Sequence, residues 1–327
     1  MLKTASITGL GYVLAPIVHN EVMPYGYEYS KGAARKQRTM PLMIERDGRV
    51  VRTQVPVVSG NAVRGLGRRL LIDHSFAELE LNMQNLLGNK EEARRMTYFF
   101  RNGGLTPRDV AVEKVPVGTY ESIQSRIPFL LALGGVYQGH HFEGHMKIGM
   151  QVPLTLETYP LYKNILSAEH RKIVEEKPFP SLNDLYAEMR YTRRAGEDQG
   201  EGTELMIYGT EVIPAGTYLG SWASVVTPYE SAVKTFRAMF WLLAEYGYVG
   251  GMSGRGHGKV LFSFRYTDEN GERELQPEDY QDYLHYLHSH AGEIKEAIRS
   301  IPGLLKWRTK GKEGGAVQAL QSENKNG

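Results

Sequence analysis

The sequence predicts an α+β fold, and three observations carry that prediction. A strand runs straight into an amphipathic helix near the front, over residues 48 to 72. A helix runs through a glycine-rich loop into an alternating strand near the back, over residues 229 to 266. Between them lies a long stretch in which strand and helix signals mix. No internal repeat is apparent. Residues 4 to 19, rich in β-branched and aromatic side chains, read as the first strand. NEVMPYGYEYSKGAARKQR (20 to 38) has little apolar periodicity and ends in Lys31, Arg35, Lys36 and Arg38, which fits a loop or finger. Residues 48 to 58 read as a turn and strand feeding the helix that opens at SGNAVRGLGRRLLI (59 to 72).

That helix is informative. Ser59 is placed to cap it, its hydroxyl accepting one of the free first-turn amides. Counting about 100° per residue from Arg64, Asn61 falls near 60° and Arg68 near 40°, so the three share a face. Ala62, Leu66 and Leu70 gather roughly opposite, with Val63 just beyond, as the expected core stripe. A helix start with free amides, a positive dipole and arginines suits phosphate, although a solvated basic face explains the pattern equally well.

Further along, 76 to 101 reads as helical. Residues 117 to 157 start irregularly, then give IPFLLALGG, a Gly/His loop and a strand within HMKIGMQVPLTLET. Two polar helical segments follow at 167 to 177 and 183 to 194, the second ending in Arg193 and Arg194. Residues 195 to 204 are polar and glycine-rich, and 205 to 226 read as a hairpin bent at PAG. Val233, Phe236, Phe240, Leu243 and Ala244 give 229 to 246 helical spacing. Val260, Phe262, Phe264 and Tyr266 alternate in the strand after the glycine loop. One more polar helix is expected over 277 to 301, and a disordered tail with a basic start from 306.

Composition narrows the function classes. The 327 residues include 39 basic and 37 acidic side chains, a net charge of +2, so nucleic-acid binding must rest on local clusters. With no cysteine, disulfides, thiolate catalysis and cysteine-based zinc sites are excluded. No apolar run approaches the roughly 18 residues of a membrane span, and the first residues read as a strand and not a signal peptide, so a cytoplasmic location is expected. GGMSGRGHGK (250 to 259) is not a phosphate loop of the nucleotide-binding kind. Ser253 stands where the first glycine belongs, Val260 follows the lysine, and the order is helix then strand. What remains is a loop of backbone amides with Arg255, His257 and Lys259. HHFEGH (140 to 145) lacks the metalloprotease spacing and is broken by Gly139 and Gly144, so no metal site is expected. No nucleophile elbow or paired-carboxylate motif occurs, so neither catalytic residue nor cofactor is expected.

Three segments resemble the RAMP superfamily of CRISPR proteins, in particular the backbone subunit that polymerises along guide RNA. VPVVSGNAVRGLGRRLL (55 to 71) is similar to that family's strand into first helix. IPFLLALGG through HMKIGMQVPL (127 to 154) is similar to its segment before a strand, with Leu133-Gly134-Gly135 where the family carries Leu-Phe-Gly. GYVGGMSGRGHGKV (247 to 260) is similar to its glycine-rich loop before the final strand. Length and the SGNAVRG wording lean toward the type IV subunit.

The resemblance implies an RRM-like (ferredoxin-like) palm over 1 to 275, with a finger at 20 to 38, a helical insert at 73 to 115 and a thumb hairpin at 190 to 226. A C-terminal helical segment then spans 276 to 305, before the tail at 306 to 327. It implies guide RNA, further copies of the chain in a filament, other effector subunits and a base-paired target nucleic acid as partners. Cutting relatives use an aspartate in the early loop; residues 20 to 38 hold Glu21 and Glu28 and no aspartate, which favours binding alone. The alternative is an endoribonuclease that processes precursor guide RNA, with His19, His140, His141 or His257 as general base. The candidate RNA-binding residues are Lys31, Arg35, Lys36, Arg38, Ser59, Asn61, Arg64, Arg68, Arg69, Arg193, Arg194, Ser253, Gly254, Arg255 and His257. Asn61, Arg64 and Arg68 are expected to face RNA phosphates.

Overall fold

Alternation in the first strand, β1 (Lys3–Val13), divides the molecule into two layers: Ala5, Ile7 and Val13 are buried in the main core, and Leu10 in a smaller one behind the sheet. The computed structural model describes residues 1–21, 35–46, 48–104, 110–194 and 205–309. After β1 come β2 (Thr39–Arg46), β3 (Arg49–Pro56), α1 (Gly60–Glu78), α2 (Met83–Leu87), α3 (Lys90–Asn102) and β4 (Val110–Val112). Next are α4 (Val117–Gln124), α5 (Pro128–Leu133), β5 (Gly135–Tyr137), β6 (His140–Phe142), β7 (Met146–Ile148) and β8 (Val152–Pro153). Then follow α6 (Tyr159–Tyr162), α7 (Ala168–Glu175), a 3-10 turn (Leu182–Leu185), β9 (Ala187–Arg194), β10 (Leu205–Val212) and β11 (Tyr218–Thr227). The last elements are α8 (Glu230–Tyr246), a 3-10 turn (Ser253–Arg255), β12 (Val260–Asp268), β13 (Gly271–Glu274), α9 (Pro277–Ser289), α10 (Ala291–Leu304) and β14 (Trp307–Thr309).

The central sheet runs β13-β12-β1-β11-β7, with β8 also on β11, and every pairing is antiparallel. Taking β1, β7, β11 and β12 as the four palm strands, α1 lies between the first two and α8 between the last two. This is the ferredoxin-like order, so the α+β palm expected from the sequence is present. Leu71 of α1 and Phe236, Met239 and Phe240 of α8 share the main core with the inward side of β1. Gly67 is where the two helices meet: a Cβ there would lie 2.8 Å from the sulfur of Met239. On the far side of the sheet, Val55, Val57, Leu154 and Tyr162 cover Leu10.

Several expectations need correction. Residues 187 to 194 form a strand and not a helix, because β9 satisfies its backbone across β10, a partner outside any local window. The strands either side of Pro214-Ala215-Gly216 do not pair with each other; β10 joins β9, and β11 enters the palm beside β1. The helical stretch 76 to 101 breaks, with α1 ending at Glu78 and Gly88 stopping α2 at φ 69° before Asn89 caps α3. The single polar helix expected over 277 to 301 is two, joined at His290. Their apolar side packs inward, with Tyr283, Leu287, Ile294 and Ile298 buried in the main core. The strand β2, absent from the sequence reading, pairs with β3 throughout. Trp307–Thr309 pairs with β4, so the tail begins ordered; residues 310 to 327 lie outside the described residues.

Two glycines test this packing. Gly104 holds φ at 80°, and a Cβ there would collide with the Val136 carbonyl; Gly118, in α4, faces open space. Gly104→Ala should therefore cost about 1–3 kcal/mol. Gly118→Ala should stay within about 0.5 kcal/mol of the parent. Urea unfolding of the two variants checks the contrast.

Candidate nucleic-acid interface

The start of α1 is held from three sides. Ser59 caps it, its hydroxyl accepting the Ala62 amide at 3.3 Å. The Ser59 amide itself donates to Nε2 of His19 at 3.2 Å, and that nitrogen also lies 3.2 Å from the Ser59 hydroxyl. Burial first, then the charge of Arg38, pushes the His19 pKa down to about 4, so the ring is neutral and free to accept. Gly60 packs on the carbonyls of Ile148 and Gly149, where a Cβ would collide. Arg64 donates from Nη2 to the Met146 carbonyl at 2.5 Å, and burial lowers its pKa. The first turns of α1 thus close the outer edge of β7.

The rotation of α1 corrects the helical-wheel expectation. Its buried residues are Val63, Gly67, Arg68, Leu71, Ile72 and Ser75, so the side expected to face solvent packs inward. Arg68 is only 7% exposed and donates to the carbonyls of Gly134 and Leu133, each at 2.9 Å. Those carbonyls close α5, where helical partners run out, and a guanidinium fork reaches both at once. Burial and the nearby Arg64 push the Arg68 pKa down to about 10, so the group still carries its charge at neutral pH. Arg68 is therefore a structural residue. The arginine that α1 turns outward is Arg69, with Asn61 also exposed.

Between α1 and the glycine-rich loop runs a groove of about 310 Å³. Asn61, Gly65, Leu66 and Arg69 form one wall, Val249, Gly250 and Gly251 the other, and His19 lies at its base beside Val58. The loop is pinned to the chain after β1: Gly251 N–H donates to the Val18 carbonyl at 2.7 Å and Gly258 N–H to the Pro16 carbonyl at 2.9 Å. Gly250 and Gly258 have φ of 81° and 79°, and a side chain at either would run into a backbone carbonyl. These glycines are required by the loop's own path, which presents backbone and not side chains to the groove.

The remaining candidates divide. Ser253, Gly254 and Arg255 are exposed on the 3-10 turn beyond the groove. His257 is 5% exposed with Nδ1 3.2 Å from the Pro16 carbonyl, so it is a loop anchor, a correction to its place among the RNA-binding residues. Arg38 is half-buried beside His19, while Arg35 and Lys36 are exposed next to β10. Lys31 lies outside the described residues, as do the side chains of Arg193 and Arg194 in β9. Sequence reasoning missed Gln37, which is 2% exposed and accepts the His19 amide at 3.1 Å while its own amide donates to Glu211. No local signal marks it, since its partners are distant in sequence.

The histidine cluster is a hairpin of β5 and β6. His140 is 1% exposed, with Nδ1 2.8 Å from the Tyr120 hydroxyl and Nε2 3.0 Å from the Lys306 carbonyl. Among the described residues no group of three His, Cys, Asp or Glu is placed to hold a metal, and no helix is long and apolar enough to cross a membrane.

No protein-family model matches the chain, and no curated protein matches it. Among solved structures it is similar to a chain of one described as a type IV-B CRISPR complex. The identity is 18%, the TM-score 0.48, and the match covers 79% of this chain and 90% of that one.

Removing Arg68 leaves two buried carbonyls without donors, so Arg68→Ala should destabilise the protein by about 2–4 kcal/mol. Arg69→Ala should change stability by less than about 0.5 kcal/mol. Urea midpoints of the pair decide between the two rotations of α1. A pH dependence follows as well. Burial holds His19 and His170 at about 4, against an ordinary 6.5. The unfolded chain therefore binds more protons in that window. The stability their neutral rings contribute is complete above pH 6.5 and is lost as the pH falls toward 4. The urea midpoint should drop between pH 7 and 5, and His19→Gln should reduce the drop. A flat profile would contradict the assignment.

Proposed function

We propose that this chain is a non-catalytic RNA-binding backbone subunit of a type IV CRISPR effector complex, polymerising head to tail along a guide RNA and presenting it for pairing with a target. The observation that carries the reading is the groove joining the start of α1 to Gly250 and Gly251, edged by Asn61 and Arg69. A phosphate backbone needs close backbone approach and a cation, and the groove supplies the first at Gly250 and Gly251 and the second at Arg69. The motifs that resemble the RAMP backbone subunit, SGNAVRG and the glycine loop, are the ones that meet there.

Binding without cleavage fits the same geometry. General-base catalysis needs an imidazole nitrogen open to the reacting hydroxyl. Nε2 of His19 accepts from Ser59, both ring nitrogens of His140 have partners and His257 is buried on Pro16, which leaves His141, exposed on β6, as the accessible imidazole of the four candidates. A subunit with few phosphate contacts binds weakly alone, so affinity comes from many subunits on one strand. Heterologous contacts do not close, and growth ends with the RNA or a capping partner.

The test uses purified full-length protein. RNA should copurify, oligomer size by light scattering should track RNA length, and affinity should fall with log salt by about 0.7 per phosphate contact. Arg69→Ala should flatten that slope by about one contact and shorten the oligomers with the fold intact. RNA binding that ignores both salt and Arg69 would refute the reading, and so would regularly spaced cuts in a complementary RNA.

A further inference from the structure

The sheet face turned away from α1 and α8 carries an unusual residue. Trp222 of β11 is 38% exposed at a central strand. Two residues earlier the same face is covered, since a Cβ at Gly220 would meet Tyr162 and Leu154 within 3 Å. The cover stops before Trp222. Its nearest side chains on that face of β1 and β11 are polar. Thr8 stands opposite it on β1, flanked by Ser6, with Ser224 two residues on in β11. The Thr8 hydroxyl is buried without a hydrogen-bond partner. Lys147, exposed on β7 and paired with Ser224, supplies the local cation. Arg265, beyond Thr8, is taken up by Glu169 at 2.5 Å and Glu272 at 3.3 Å.

Gly149 connects this ring to the groove. Its amide continues the ladder to the Trp222 carbonyl at 2.9 Å, and a Cβ there would run into the indole. Gly60, which opens α1, packs on the carbonyls of Ile148 and the same Gly149. The start of α1 and the indole therefore lie on either side of one strand, roughly 10 Å apart as two strand spacings. A strand that leaves the groove at the start of α1 and passes Lys147 would reach the ring. An exposed indole beside a lysine and hydroxyls is a sequence-tolerant platform for an unpaired base.

We infer that Trp222 stacks one unpaired nucleobase of the strand whose phosphates lie in the groove. This rests on the RNA-binding reading above. The test compares a single-stranded RNA with an abasic strand of the same length. Trp222→Ala should weaken binding of the base-bearing RNA about 5- to 100-fold and leave the abasic strand unchanged. Trp222→Phe should retain binding within about 3-fold and guards against a folding defect in the alanine variant. RNA should also quench the emission that wild type has and Trp222→Phe lacks. Equal losses on both strands, or no loss and no quenching, would overturn the inference while salt-sensitive binding through Arg69 leaves the groove reading standing. If wild type binds neither strand, both fall.

Discussion

The guanidinium of Arg68, bonded to the carbonyls of Leu133 and Gly134, fixes the rotation of α1, and that rotation decides everything the groove displays. Burying a charge costs several kcal/mol unless its donors find acceptors. Here the acceptors are the last carbonyls of α5, which lack helical partners of their own. Each group meets the other's need. With Arg68 turned inward, the helix carries Gly65 and Arg69 round to the flank beside Gly250 and Gly251, and Asn61 lines the same groove from the first turn.

A second layer holds the same helix start without adding charge to it. Ser59 caps α1, His19 accepts the Ser59 amide, and Gln37 accepts the His19 amide in turn. The neutrality of His19 follows from burial and from Arg38, so the cation nearby helps to keep the capping network in its accepting form. The glycine loop is tied to Pro16 and Val18, immediately before His19. One short stretch of chain therefore ties both walls of the groove together.

How much of this was legible in the sequence follows from where the information lies. Ser59 as a cap, the helix at 229 to 246 and the strand beginning at Val260 are local signals, and each is where it was expected. That SGNAVRG meets the glycine loop is announced by no local signal, because the two segments lie far apart in the chain and only the fold brings them together. The face of α1 was misread because a helical wheel sends arginines outward, and nothing near Arg68 announces acceptors some 65 residues away. Arg69, one position on, carries the exposed charge. Strand β9 read as a helix for the same reason, since β10 lies across residues 195 to 204. His257 looked like a ligand-binding side chain because the loop around it is rich in glycine, yet it serves the loop's own anchoring on Pro16.

The central claim is that RNA lies along the groove between α1 and the glycine loop. Ultraviolet crosslinking of copurified RNA, followed by mass spectrometry of the crosslinked peptides, tests it most directly. The account predicts crosslinks concentrated in residues 59 to 72 and 247 to 256. Crosslinks confined to α9 and α10, with none on either wall of the groove, would contradict it.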